Sequence, residues 1–375
     1  MSSIYIHIPF CAKKCFYCDF FTSLSLQNKE EYLKVIKEEL LLRKNYLENK
    51  KVKTIYIGGG TPSLLSEKEL NDIFRQIYKI FNVSGKVEIT IEANPDDLDK
   101  EYLRKLRKTP INRLSIGIQS FFDEDLRLMN RRHNAEQGIY AVKRAQDSGF
   151  FNISGDLIYG LPGMTSEKWI KNLNIFFDLK IQHLSAYHIT YEPNTVFYKK
   201  RNSGKLKEIP EEESISQFKI LKNLAGKNNM IHYETSNFGK KGFFSEHNTA
   251  YWKQKHYLGI GTGAHSYNGE SRQFNIKNIG EYIKKVKKRS GFFEKEILSD
   301  ADKYNDYIIT TLRTMWGADI SYIEKNIGEK FVKFIFDKAK KHIDNGNLTY
   351  KKNTLYITEK GKFIEDYILE DLFYF

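Results

Sequence analysis

Cysteine is the scarce residue of this chain: its 375 residues include three, at positions 11, 15 and 18. Thiols this few, all in one short stretch, exclude a disulfide framework and suit a reducing compartment. No Cys/His pair stands elsewhere at finger spacing, which excludes a zinc finger. No run of about 18 apolar residues occurs, and the N-terminus enters a strand-like segment at Ile4 without a charged n-region or an apolar h-region. Membrane spanning and secretion are therefore not expected, and the cytoplasm is the expected location. Internal repeats and low-complexity segments are also absent, which leaves a globular chain long enough for one large domain and one smaller one. The net charge of +13 would suit nucleic acid, an anionic membrane surface or a carboxylate-rich ligand such as a porphyrin. Its lysines are spread over many helix faces, densest at Lys284, Lys285, Lys287 and Lys288, which is the pattern of a solvated surface. With no RNA-binding motif present, no nucleic-acid partner is expected.

What the chain does have is the stretch Tyr5 to Phe20, YIHIPFCAKKCFYCDF. Cys11, Cys15 and Cys18 are spaced C-x3-C-x2-C, so three thiolates in one loop can hold three corners of a four-iron cluster and leave the fourth iron open. The alternative is structural zinc, which wants four ligands and would have to recruit His7 from an apolar run.

From residue 4 to 189, short apolar or β-branched runs alternate with longer amphipathic segments, the signature of βα units and a parallel sheet. Strands are expected at 4–8, 54–57, 87–93, 113–118, 153–158 and 183–189, and helices at 29–48, 67–81, 100–108, 135–148 and 167–179. Six such units point to an α/β fold, a partial (β/α)6 barrel. Ser66 followed by Glu69 reads as a capping box, whereas Ser166 followed by Trp169 lacks the acidic partner. In such barrels the active site lies at the C-terminal strand ends, where Cys11, Gly59, Glu92, Gln119, Asp156 and Thr190 all fall. Further on, helices are expected at 211–227 and 278–288 with an apolar run at 257–260. Helices at 302–315, 320–326 and 330–345, strands at 348–350 and 354–358, and a last helix at 359–372 suggest a small winged-helix-like C-terminal domain. The boundary is placed near Phe292, giving 1–291 and 292–375.

The cysteine loop, with YxHIPFC before its first thiol, resembles that of radical S-adenosylmethionine (SAM) proteins, and in particular the group of oxygen-independent coproporphyrinogen oxidase and its haem-chaperone relatives. That resemblance implies a [4Fe-4S] cluster with three Cys ligands, bound SAM and the partial barrel with its C-terminal domain. Gly58-Gly59-Gly60-Thr61-Pro62 follows the second strand; consecutive glycines let backbone approach a ligand and expose N–H groups, or simply make a tight turn. The resemblance puts Gly59, Gly60 and Thr61 at the amino-acid end of SAM. It places Glu92 on the SAM ammonium, where the bland alternative is a turn cap, and Gln119, Arg131 and Asp156 against SAM, where the alternative is satisfied buried polar groups or ion pairs. Tyr5, Tyr17 and Thr190 match positions near SAM, although aromatics are common in this chain.

His247-Asn248-Thr249-Ala250-Tyr251-Trp252 resembles the HNxxYW motif of the chaperone branch, which implies His247 as a haem ligand, with Tyr251 and Trp252 able to stack on a porphyrin. A core histidine is the plain alternative. His265, in GIGTGAHSY, is a second candidate, near haem or SAM. The oxidase branch carries a fourth cysteine two residues after the third and an N-terminal extension; here Cys18 is followed by Asp19 and Phe20, and the loop begins at residue 11. The expected function is accordingly that of a haem chaperone. The oxidase reaction is the alternative, and another radical SAM enzyme, such as a transferase or RNA modifier, is a third. The implied partners are haem, a haem-acceptor protein of respiratory, membrane-associated type, and an electron donor such as flavodoxin or ferredoxin, with the chain working peripherally at the inner face of the membrane.

Overall fold

A computed structural model of the chain describes residues 2–48 and 50–375. Six strands, β1 (Ser2–Ile8), β2 (Val52–Gly59), β3 (Val83–Ala93), β4 (Arg113–Gln119), β5 (Asn152–Tyr159) and β6 (His183–His188), lie side by side in sequence order and all parallel. Beyond β6 come β7 (Ile231–Glu234) and β8 (Asn237–Gly239), with β8 antiparallel to β6. On the other side, β9 (His256–Ile260) pairs parallel with β1 and leads through β10 (His265–Tyr267) and β11 (Ser271–Asn275) to β12 (Phe293–Ile297), all antiparallel.

Period-two alternation explains the layers. Ile4, Ile6, Ile8, Ile55, Ile57, Ile89, Ile91, Leu114, Ile116 and Ile118 are fully buried and face the helices that return between the strands. The opposite set, Tyr5, His7, Tyr56, Glu88, Glu92, Arg113, Ser115, Asp156, His183 and Ser185, fills the lumen with polar groups. At about 1.5–3 kcal/mol per buried aliphatic side chain, the outer layer carries the stability and leaves the lumen free for chemistry.

All six expected strands form: β1, β4 and β5 run one or two residues longer than expected, β2 and β3 four longer, and β6 ends one residue earlier. The helix expected to reach residue 48 stops at Leu42, where Arg43 turns inward instead of continuing the surface. Arg43 reaches Glu39 (3.2 Å), Gly259 O (3.2 Å), Ser266 Oγ (3.0 Å) and Gln273 Oε1 (2.5 Å), and Tyr282 donates to Glu39 (2.5 Å). This buried network fastens the first helix to the β9–β11 extension. Ser66 and Glu69 form the expected capping box, but the helix Ser166–Asp178 is capped by Thr165, which accepts from Lys168 N.

The C-terminal part holds helices Asp300–Leu312, Ile320–Asn326 and Glu329–Asp344 and a small sheet in the order β13 (Ala318–Asp319), β15 (Thr354–Ile357), β14 (Leu348–Lys351). The last helical segment is split into a 3-10 turn, Gly361–Ile364, and a helix, Glu365–Leu372. Its core, from Tyr304 to Leu372, is separate from the barrel core, which runs from Ile4 to Phe292. The large sheet keeps the chain through Ile297, and the bridge Glu234–Thr314 with Met315 N→Tyr233 O (3.0 Å) stitches the two parts together.

Candidate functional site

The cysteine loop leaves β1 and is pinned on three sides. Cys11 N donates to Ser23 O (2.9 Å), Phe16 N to Met129 O (3.1 Å), and Phe197 N to Phe16 O (3.0 Å). Thr61 Oγ1 donates to Cys11 Sγ (3.4 Å) and Arg131 Nη1 to Cys15 Sγ (3.2 Å), so two chain segments aim donors at the sulfurs. All three thiols are free; Cys11 is buried, Cys15 and Cys18 half-buried. Burial pushes the Cys11 thiol up and that of Cys18 up to about 11, so both need a cationic partner to become thiolates. His7, which a zinc site would have to recruit, shares Nδ1 with Tyr5 Oη and Nε2 with Phe21 O, each at 3.0 Å.

The glycine run does something other than expose donors. Gly59 N donates to Glu92 Oε2 (2.9 Å), Gly60 N to Ile8 O and Thr61 N to Phe10 O (2.8 Å each), so these N–H groups are already spent. The glycines are needed because a Cβ on Gly60 would lie 2.7 Å from Phe10 O, and one on Gly59, at φ +114°, 2.5 Å from the His7 ring. They let β2 close onto the start of the cysteine loop.

Glu92 accepts from Tyr56 Oη (2.8 Å) as well as Gly59, and burial raises its pKa. Asp156 is raised to about 7, chiefly by burial and then by Glu92, while Ser185 and Ser115 (3.3 Å) donate to it. Among the described residues no ion pair satisfies either carboxylate. Arg131 also donates to Asn94 Oδ1 (2.7 Å) and Gly117 O (2.9 Å), and its Nε is buried without a partner. Gln119 takes φ +67° at the end of β4, a strained conformation for a residue with a Cβ. Tyr5 projects into the lumen, and Tyr17 is half-buried, 6.5 Å from the Phe197 ring. Free thiols, an orphaned guanidinium nitrogen and two half-buried carboxylates without an ion-pair partner among the described residues fit a thiolate-ligated cluster and a sulfonium-bearing amino acid.

His247 is 1% exposed, in the helix Glu246–Trp252 at the lumen side of β2. Its ring lies 5.0 Å from Tyr56, and burial with the Arg113 charge pushes it down to about 3. Nδ1 meets Thr54 Oγ1 (2.8 Å) and Nε2 meets Tyr251 Oη (2.9 Å). Both nitrogens of the expected haem ligand are thus occupied. His265 is exposed and lines a cavity of about 650 Å3 with Tyr5, His7, Tyr251 and Tyr257. Thr190 is also exposed, away from Glu92 and Asp156, in a larger cavity of about 1050 Å3 between the barrel mouth and the C-terminal part. Sequence reading passed over Tyr56, Asn94, Glu88 and Arg113. For Tyr56, Glu88 and Arg113 the signal was present, as polar residues at alternate positions of otherwise apolar strands; Asn94 lies just past β3.

A model of the radical SAM superfamily matches residues 5–175. The coproporphyrinogen III oxidase (HemN) from Escherichia coli, described as a radical SAM enzyme, superposes with a TM-score of 0.85 over 99% of this chain and 89% of its own, at 23% identity, a likeness of fold. Fold and cysteine loop together define a radical SAM protein. The proteins named heme chaperone HemW from Bacillus subtilis and Lactococcus lactis are each 33% identical, covering 97% and 99% of this chain and 97% and 98% of theirs. The chain belongs to the HemW family.

Proposed function

We propose that this chain is a haem chaperone: with a [4Fe-4S] cluster on Cys11, Cys15 and Cys18 and SAM beside it, it holds haem and passes it to an acceptor protein. The observation that carries this reading is the near-full-length likeness to relatives named heme chaperone HemW. A loop that ends Cys18-Asp19-Phe20, without a fourth cysteine, supports it.

When bound and reduced, the cluster supplies the electron that cleaves SAM. The chain's own residues do the rest. Thr61 and Arg131 orient Cys11 and Cys15, each by a donor on sulfur. Glu92 and Asp156 offer negative charge to the ammonium and sulfonium of SAM, while Tyr5, Tyr17, Gly59, Gly60, Thr61 and Gln119 wall its site. Haem is held by His247, with His265 as the second imidazole near it. The donor is a flavodoxin or ferredoxin, and the acceptor a membrane-associated respiratory protein met at the cytoplasmic face. No described helix is long and apolar enough to cross a membrane.

The test is anaerobic reconstitution of the cluster, followed by absorbance titration of haem into wild type and His247→Ala, with coproporphyrinogen III conversion assayed in the same preparation. Haem uptake without turnover is expected. Absence of uptake overturns the reading, and turnover would favour the oxidase.

A further inference from the structure

The two hydrogen bonds of His247 differ in kind. Thr54 donates its hydroxyl hydrogen to Ser3 Oγ at 2.8 Å, so its oxygen is left to accept from His247 Nδ1–H at 2.8 Å. That pairing selects the neutral Nδ1–H tautomer and makes Nε2 a lone pair, which accepts from Tyr251 Oη at 2.9 Å. A neutral imidazole whose one nitrogen is anchored as a donor while the other carries a lone pair is the form that ligates metals. Here the coordinating position is built and then covered by a hydroxyl.

What lies beyond that hydroxyl is the cavity of about 650 Å3, within the size range that encloses a small-molecule ligand. Tyr251 and Tyr5 line it, and the His247 ring sits behind them, 4.8 Å from the Tyr251 ring and 6.5 Å from that of Tyr5. Tyr257, Tyr267 and His265 add further ring surface. Lys277 is exposed at the same cavity, and among the described residues no carboxylate pairs with it, whereas Arg272 is held by Asp306 at 2.7 Å. Asp19 also lines the cavity, so besides the Arg272–Asp306 pair its rim carries one ammonium and one carboxylate, and the ring walls suit a planar aromatic macrocycle whose carboxylates meet Lys277.

We propose that Tyr251 is the gate of the haem site: its hydroxyl caps His247 Nε2 in the haem-free protein, and its side chain moves aside when iron in this cavity takes the lone pair. The inference rests on the haem-binding reading above and deepens it. Tyr251 is a positioning residue, and its removal changes affinity in a direction that loss of packing does not. In Tyr251→Phe the lone pair is buried and uncapped before haem arrives, so binding gives up no hydrogen bond. Thr54→Val instead frees the anchored nitrogen and lets the ring turn.

The experiment titrates haem by absorbance into cluster-reconstituted wild type, Tyr251→Phe, Tyr251→Leu, Thr54→Val and His247→Ala. Expected is about two- to tenfold tighter binding in Tyr251→Phe, the equivalent of one neutral hydrogen bond. Tyr251→Leu, which removes ring and hydroxyl together, is expected to shift the same way and covers the case in which the phenylalanine variant does not fold. Thr54→Val is expected to bind about 10- to 100-fold more weakly, as loss of an orienting partner does for metal-bound histidines. Equal or weaker binding in the folded Tyr251 variants overturns the gate, as does binding that survives His247→Ala undiminished. Failure of wild type to take up haem overturns the haem reading itself.

Discussion

Asp156 and Glu92 project into one lumen, and among the described residues neither makes an ion pair, although the Arg113 charge acts on Asp156. Asp156, at about 7 in the fold, stands near 3.9 in an unfolded chain, so its raised value favours folding below that lower figure and loses the contribution as pH rises through about 7. A bound sulfonium reverses the preference by stabilising the ionised form. Two results are therefore expected in thermal melts of the reconstituted protein. The SAM-free Tm falls between pH 5 and pH 8, and the SAM-induced rise in Tm is larger at pH 8 than at pH 6. Asp156→Asn should flatten both trends; a SAM-induced rise that is independent of pH in the wild type would remove Asp156 from the cation site. Gly60 makes a second residue-scale test. Its Cβ would meet a backbone oxygen at 2.7 Å, so Gly60→Ala should cost about 1–3 kcal/mol in urea unfolding and lower iron content per chain after reconstitution. Unchanged stability would show that the close approach of β2 to the cysteine loop is not required.

Among the elements, the six parallel strands were legible because each is a compact apolar run with β-branched residues between turn signals; the strand-end rule led to Glu92 and Gln119, which lie at the ends of β3 and β4, whereas Asp156 sits midway along β5. The β7–β8 and β10–β12 strands were not legible: they are three to five residues long, carry polar residues such as Gln273 and Asn275, and exist only because they pair with neighbours distant in sequence. The short helix of the HNTAYW segment was missed for the same reason, since its start is set by Ser245 and by Glu88 accepting from His247 N across the lumen. The glycine run illustrates the opposite case: its location was right, but the use of its N–H groups depended on Glu92, Ile8 and Phe10 and so on the register of β1 against β2. The Glu39–Arg43 network was equally hidden, because a Glu and an Arg at i,i+4 read as a surface pair. Both are buried, so Glu39→Ala should destabilise by about 3–5 kcal/mol, measured by urea unfolding, because it leaves Arg43 buried and unpaired. A loss under about 1 kcal/mol, as for a surface pair, would contradict that role.

At the scale of the whole molecule, two hydrophobic cores meet along a seam of polar contacts. Glu234, raised to about 7 mainly by burial, lies on that seam beside the strand bridge to Thr314, and Arg313 reaches across the C-terminal part to Glu365 (3.3 Å). The larger cavity opens here at the barrel mouth, while the smaller, tyrosine-walled cavity, which Tyr5 and Tyr251 both line, opens on the β1–β9 side. Tyr56 joins them, its ring against His247 and its hydroxyl on Glu92. One lumen thus brings together the residues proposed for the cluster-and-SAM site and the histidine proposed to take haem. The most direct measurement is haem uptake set against porphyrinogen turnover in one anaerobic, cluster-reconstituted sample with SAM and a competent reductant. Saturable haem binding that His247→Ala weakens, with coproporphyrinogen III left unchanged, is the expected result; conversion of coproporphyrinogen III with consumption of SAM, or no haem bound at all, would contradict it.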